Sequence, residues 1–205
     1  MATNKKETSA NELFELLNSI SKFIERKIKM YALGGTALTI LGIKSSTLDI
    51  DINIDSHKDY QYICEIFEKI GFKRIGTIRW QTQEGLFFDL FMGSNIFGTE
   101  LSPDFLNKSK FIKSFENIEL YTLSLEDIII SKLARGDPRD FLDIKKIFEN
   151  QKINLPELVR RYKETMETSV VGNYKQKLFD LIEIEFSHWR FPLNRKLINE
   201  VKRWQ

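Results

Sequence analysis

The sequence predicts an α+β head followed by a helical tail. Two observations carry this. Short apolar segments of strand length are mixed with amphipathic helical segments up to about residue 123, and from Ser124 onward the pattern is mostly helical. A third observation locates the chemistry: Leu48–Ile54 alternates Asp with Ile or Asn at the period of a strand, where an ordinary core strand would be apolar. The expected division is a head over 1–123 and a helical region over 124–205, packed on or beside it.

The elements follow in order. Asn11–Lys27 places apolar residues at 13, 14, 16, 17, 20, 23 and 24, a helical spacing with Ser9 or Asn11 as N-cap. The polar segment before it is expected to be loose up to about Ser9. Met30–Leu33 reads as a buried strand running into Gly34-Gly35, and Thr36–Leu41 as a short helix ending near Gly42. Asp59–Ile70 is a helix that stops at Gly71. Lys73–Trp80 and Gly85–Met92 read as two strands of a hairpin joined by the polar linker QTQEG. Ile118–Leu123 is a further strand. Ser124 opens a helix with Asp127 three residues on, in the manner of a capping box. Gly136-Asp137-Pro138 ends that helix, and Pro138 suits the first turn of the next. The remainder is mostly helical, broken near Asn154-Leu155-Pro156, Gly172 and Pro192.

Composition bounds the function. With 42% hydrophobic and 29% charged residues the chain can bury a sizeable core. The net charge of +2 gives no global electrostatic footprint for nucleic acid, though folding can still segregate a local basic patch. A single cysteine, Cys64, excludes an internal disulfide and a thiolate metal cluster, and suits a reducing compartment. No segment approaches ~18 uninterrupted apolar residues, so no membrane partner is expected and a cytoplasmic location is.

The chemistry centres on Asp49 and Asp51. Residues i and i+2 of a strand share a face, so the two carboxylates repel unless something positive sits between them. Hard oxygen ligands of this kind suit Mg²⁺, which completes its shell with water and substrate phosphates. Upstream, Gly34, Gly35 and Thr36 form a strand-to-helix turn that lets backbone N–H groups approach an anion, with a hydroxyl beside them. Downstream, Phe87-Phe88-Asp89-Leu90-Phe91 buries one acid among large apolar neighbours, which is costly unless the charge is paired or metal-bound. If that strand lies beside the Asp49 strand, Asp89 completes a three-carboxylate cluster fit for two divalent ions. Taken alone, Asp-x-Asp is also what an exposed edge strand carries, and Gly-Gly is what any tight turn needs.

Together these motifs resemble the nucleotidyltransferase superfamily related to DNA polymerase beta, and within it the AbiEii-type and related minimal nucleotidyltransferases. Lys44, Ser46 and Thr47 before Asp49, then Lys132-Leu133-Ala134-Arg135 and Arg139-Asp140-Phe141-Leu142-Asp143, extend the match over roughly residues 30 to 148. Lys44 stands where an arginine is expected. The resemblance implies a mixed β-sheet flanked by helices and transfer of a nucleoside monophosphate from a nucleoside triphosphate (NTP) to a hydroxyl. It implies Mg²⁺ on Asp49, Asp51 and Asp89, and the nucleotide held by Gly34, Gly35, Thr36, Lys44, Thr47, Lys132 and Arg135. The acceptor it implies is an RNA end, such as that of tRNA, or a protein hydroxyl in a toxin-like reaction with a cognate antitoxin partner. A small antibiotic-type acceptor, or a non-catalytic nucleotide-binding module, is the alternative. For Lys132, Arg135, Arg139, Asp140 and Asp143 the alternative is an ion-pair network stitching two helices.

Overall fold

A computed structural model describes residues 6–204 of the chain. The chain divides into two compact units. One runs up to Gly93 and resumes over Leu106–Leu123; the other comprises Ser94–Phe105 and the residues from Ser124 onward.

The first unit contains α1 (Ala10–Ser21), β1 (Ile28–Ala32), α2 (Gly34–Ile40), β2 (Asp49–Ile54), α3 (His57–Lys69), β3 (Lys73–Arg74), β4 (Arg79–Gln81) and β5 (Phe87–Met92). The chain continues through β6 (Asn95–Ile96), β7 (Thr99–Glu100) and α4 (Phe105–Lys108), then returns to this unit as β8 (Lys110–Ser114) and β9 (Ile118–Thr122). Among the described residues the sheet is seven-stranded, in the order β3-β4-β5-β2-β1-β9-β8. It is mixed: β2 runs parallel to β5 and β1 parallel to β9, while β1 and β2 are antiparallel. β2 therefore takes the middle position.

The alternation of β2 explains why. Ile50, Ile52 and Ile54 are almost fully buried. Their face also carries Phe88 and Trp80, whose rings meet Phe67 of α3 edge-on at 4.9 and 5.5 Å. The other face receives Asp49 and Asp51. Ser9 caps α1 through a full capping box with Glu12. The segment before it is not loose as far as Ser9. Residues 1–5 lie outside the described residues, and Thr8 is buried and exchanges two backbone hydrogen bonds with Thr47, at 2.7 and 2.9 Å.

The expected strand over Lys73–Trp80 is two strands. The backbone turns at Gly76-Thr77, whose carbonyls accept from the Arg74 guanidinium, and β3 folds back on β4. β8 has no counterpart in the sequence reading. It is an edge strand with a bulge between Phe111 and Lys113 and without a buried alternation, so its pattern gives no period. Phe105 and Phe115 are buried, while Phe111 is 52% exposed.

The second unit is built from the β6–β7 hairpin, α5 (Leu125–Arg135), α6 (Pro138–Asn150), α7 (Leu155–Met166) and α8 (Tyr174–Phe179). A π-helical stretch, Asp180–Glu185, then leads into α9 (Phe186–His188), and α10 (Arg195–Lys202) closes the unit. Ser124 caps α5, Gly136 ends it at φ 70°, and Asp137 caps α6 with Pro138 in its first turn. No helix among the described residues is long and apolar enough to cross a membrane.

Candidate active site

The three acids meet on one sheet face of the first unit. In the parallel pair β2–β5, Asp51 lies opposite Asp89 and Asp49 opposite Phe87. Residues in register on neighbouring strands share a face, and Asp49 shares it with Asp51 by its spacing of two. Asp89 is 6% exposed; Asp49 and Asp51 are half-buried.

A cation already sits on this cluster. Arg79 of β4 faces Asp89 in the antiparallel register of β4–β5. Its Nε donates to Asp89 Oδ1 at 2.7 Å and its Nη2 to Asp89 Oδ2 at 2.5 Å, a bidentate fork. The same Nη2 lies 3.4 Å from Asp49 Oδ1. The hydrogen bonds to Asp89 hold the guanidinium pKa above its ordinary value despite burial, and the charges of Asp89, Asp49 and Asp51 add to this. Arg79 lies outside the motifs that single out the acids. The signal was available: a hairpin folded about Gln83–Gly85 pairs 81 with 87, 80 with 88 and 79 with 89.

Gly34 and Gly35 open α2, and Gly35 packs against the approach to β2. Gly34 adopts φ 46°, which an L-residue rarely takes. A Cβ on Gly35 would lie 2.9 Å from Thr47 Oγ1 and 3.9 Å from Lys44 Nζ. Glycine is thus required by a close approach, and an ammonium and a hydroxyl converge on the bare backbone. Gly35→Ala is expected to cost about 1–3 kcal/mol through this overlap. Removing the hydroxyl with Thr47→Ala should recover part of that loss. A double-mutant cycle in denaturant tests it, and strict additivity would contradict the contact.

Two hydroxyls expected at the nucleotide are used locally. Thr36 is fully buried; its Oγ1 donates to the Asp49 carbonyl at 3.1 Å and accepts from the Asp51 N–H at 2.8 Å. It ties the start of α2 to the β2 backbone between the two acids. Thr47 Oγ1 donates to the same Asp49 carbonyl at 2.9 Å.

Lys132 and Arg135 belong to the second unit. Lys132, 2% exposed, donates to Asp140 at 3.1 Å and Asp143 at 2.7 Å. Arg135 forks onto Asp140 at 2.7 and 2.6 Å and lies over the Phe97 ring. These are the contacts of the ion-pair network, with Arg139 outside it on Asp137. Burial pushes the Asp140 carboxyl up, but hydrogen bonds from Arg135 and the charges of Lys132 and Arg135 leave it below its ordinary value. A depressed acid stabilises the fold above its unfolded pKa, and that stability is lost as the pH falls through the lower folded value. Asp140→Asn should therefore be markedly less stable than the native protein near pH 7. The gap should narrow below about pH 3.9, the ordinary aspartate value. Melting curves across this range measure it; a gap constant with pH would contradict the network.

A separate groove of about 790 Å³ in the second unit is lined by Lys163, Lys196, Arg203 and Trp204, with Glu167 and Glu200 opposing the cations. It contains none of the residues above.

Among the described residues, no three Asp, Glu, His or Cys side chains stand poised around one point to hold an ion. The donor chemistry nevertheless fits a hard divalent cation. Two carboxylates are in register, a third is two residues away, and a guanidinium occupies the position where positive charge is required.

The chain belongs to the family described as nucleotidyltransferase of unknown function (DUF6036), whose model matches residues 11–191. Among solved structures it is similar to a "putative nucleotidyltransferase" from Thermotoga maritima, at 15% identity over 73% of this chain and 100% of that one, with a TM-score of 0.45. No curated protein matches the chain.

Proposed function

We propose that the acid face of the first unit transfers a nucleoside monophosphate from an NTP to a hydroxyl acceptor, releasing pyrophosphate. The observation that carries this is the register of Asp51 with Asp89 on adjacent parallel strands, with Asp49 beside them. Asp49, Asp51 and Asp89 would hold divalent ions, Mg²⁺ by their hard-oxygen chemistry, and these supply neutralisation of the triphosphate charge. The backbone of Gly34-Gly35, with Lys44 beside it, receives the phosphates. The acceptor oxygen attacks the α-phosphorus in line, the bond to the β-phosphate oxygen breaks, and Asp89 takes the acceptor's proton. Catalysis is mainly positioning and charge neutralisation. Lys132 and Arg135 are assigned to the framework of the second unit.

The acceptor class favoured is an RNA end, as the AbiEii-type resemblance implies. On the acid face of the sheet, Tyr31, Tyr121 and Phe111 lie in register across β1, β9 and β8. Tyr121 stacks on Tyr31 at 5.2 Å, Phe111 meets it edge-on at 5.5 Å, and Lys29 lies over it at 5.8 Å. Tyr31 is buried, so the surface open to a base is Phe111, 52% exposed, with Lys29 and half-buried Tyr121 alongside.

Purified protein with Mg²⁺ and each α-labelled NTP, offered total RNA, protein or small aminated sugars, tests both statements. Label moving into RNA supports the full reading. Label moving only into protein or a small molecule keeps the activity and overturns the acceptor. No transfer and no nucleotide binding would overturn the function.

A further inference from the structure

We propose that Arg79 is a resident counter-cation that a divalent metal must displace, and that this exchange couples metal binding to nucleotide binding. The inference rests on reading the acid face as the nucleotidyl-transfer centre.

Asp89 is nearly fully buried, and a buried carboxylate without a partner is costly. The Arg79 fork satisfies both of its oxygens and reaches Asp49 with the same nitrogen. A guanidinium is always charged and has no lone pair, so it cannot join a coordination shell; it can only compete for the oxygens. A divalent ion on Asp89 and Asp49 would take the same oxygens and repel the guanidinium. Charge repulsion across the shared oxygens sets the two states against each other.

The displaced side chain has somewhere to go. Arg79 is anchored by β4 pairing, its side chain is 34% exposed, and its guanidinium already leans on the Phe87 ring at 5.4 Å from the centroid. An NTP bound at the acid face brings several negative charges within its reach. Nucleotide thus offers Arg79 a new partner at the moment the metal takes its old one. Each ligand then favours the other, by the reciprocity of linked equilibria. Metal alone binds weakly, and the acids are held neutralised until the nucleotide arrives.

Mn²⁺ binding, followed by the electron paramagnetic resonance of the free ion and by calorimetry, tests the exchange. It is measured with and without an NTP analogue that carries a methylene between the α- and β-phosphates. In the native protein the analogue should tighten Mn²⁺ binding by about tenfold or more. Arg79→Gln should bind Mn²⁺ alone about tenfold more tightly than the native protein, and the analogue should add little. Arg79→Lys, which keeps the charge and loses the fork, should fall between, and decides the matter if Arg79→Gln does not fold. The exchange is overturned if the folded Arg79 variants bind Mn²⁺ no more tightly than the native protein with the same gain from nucleotide, while Asp49→Asn/Asp51→Asn loses the ion. In that case the metal-site reading stands. No Mn²⁺ binding by any folded protein, even with the analogue, overturns both.

Discussion

Replacing Asp51 by asparagine should reduce nucleotidyl transfer by roughly 10³-fold or more, since charge stabilisation by one preorganised group is worth about 10²–10³ and the loss of a metal ligand adds to it. The fold should remain. Asp51 lies half-buried on the polar face of β2, and the adjoining core residues Ile50 and Ile52 are untouched. Asparagine is isosteric and also removes one of three crowded like charges. The unfolding free energy should therefore change by less than about 1 kcal/mol. Initial rates of label transfer and a denaturation curve on the same preparation check both halves. Native-like activity would remove Asp51 from the chemistry. Unfolding would make it a structural residue.

The second large effect concerns stability. Arg161→Met should destabilise the protein by about 3–5 kcal/mol, because it strands a buried acid. Arg161 of α7 is 1% exposed and Asp127 of α5 is fully buried. The guanidinium donates to Asp127 at 3.1, 2.7 and 2.7 Å, and to Asp104 at 2.6 Å. Burial raises the Asp127 carboxyl pKa above its ordinary value even with Arg161 in place, its hydrogen bonds and charge pulling the other way. Removing Arg161 takes away that opposing pull and raises it further. An acid with a raised folded pKa weighs on the fold when charged and is relieved as the pH falls and it protonates. The deficit of Arg161→Met should thus be greatest near neutral pH and shrink on acidification. Arg161→Met/Asp127→Asn should recover much of the loss at neutral pH. Denaturant unfolding at several pH values decides this; a deficit independent of pH would mean that lost packing, rather than the stranded charge, dominates.

What the sequence made legible was local. The alternation of Leu48–Ile54 identifies β2, the run around Asp89 identifies a buried strand, and Ser124, Gly136 and Pro138 mark the ends of α5 and α6 through cap chemistry that depends only on near neighbours. What stayed hidden was non-local. The parallel pairing that sets Asp51 beside Asp89 spans α3 and the β3–β4 hairpin, and periodicity carries no information about which strands become neighbours. Thr36 was read as a ligand donor because a hydroxyl after two glycines suits a phosphate; its use by the backbone of β2 depends on how α2 lies against that strand. Arg79 has no pattern of its own on a short strand, and only the hairpin register gives it a partner. Arg161 sits in a helix rich in charge, and what separates it from Arg160 is that it faces inward onto Asp127.

The most direct measurement is a crystal structure with Mn²⁺ and the α,β-methylene NTP analogue, read by anomalous scattering. The account predicts manganese peaks within coordination distance of Asp49, Asp51 and Asp89, the triphosphate against Gly34-Gly35, and the Arg79 guanidinium withdrawn from Asp89. Manganese and nucleotide bound elsewhere, with the Arg79–Asp89 fork intact, would contradict it.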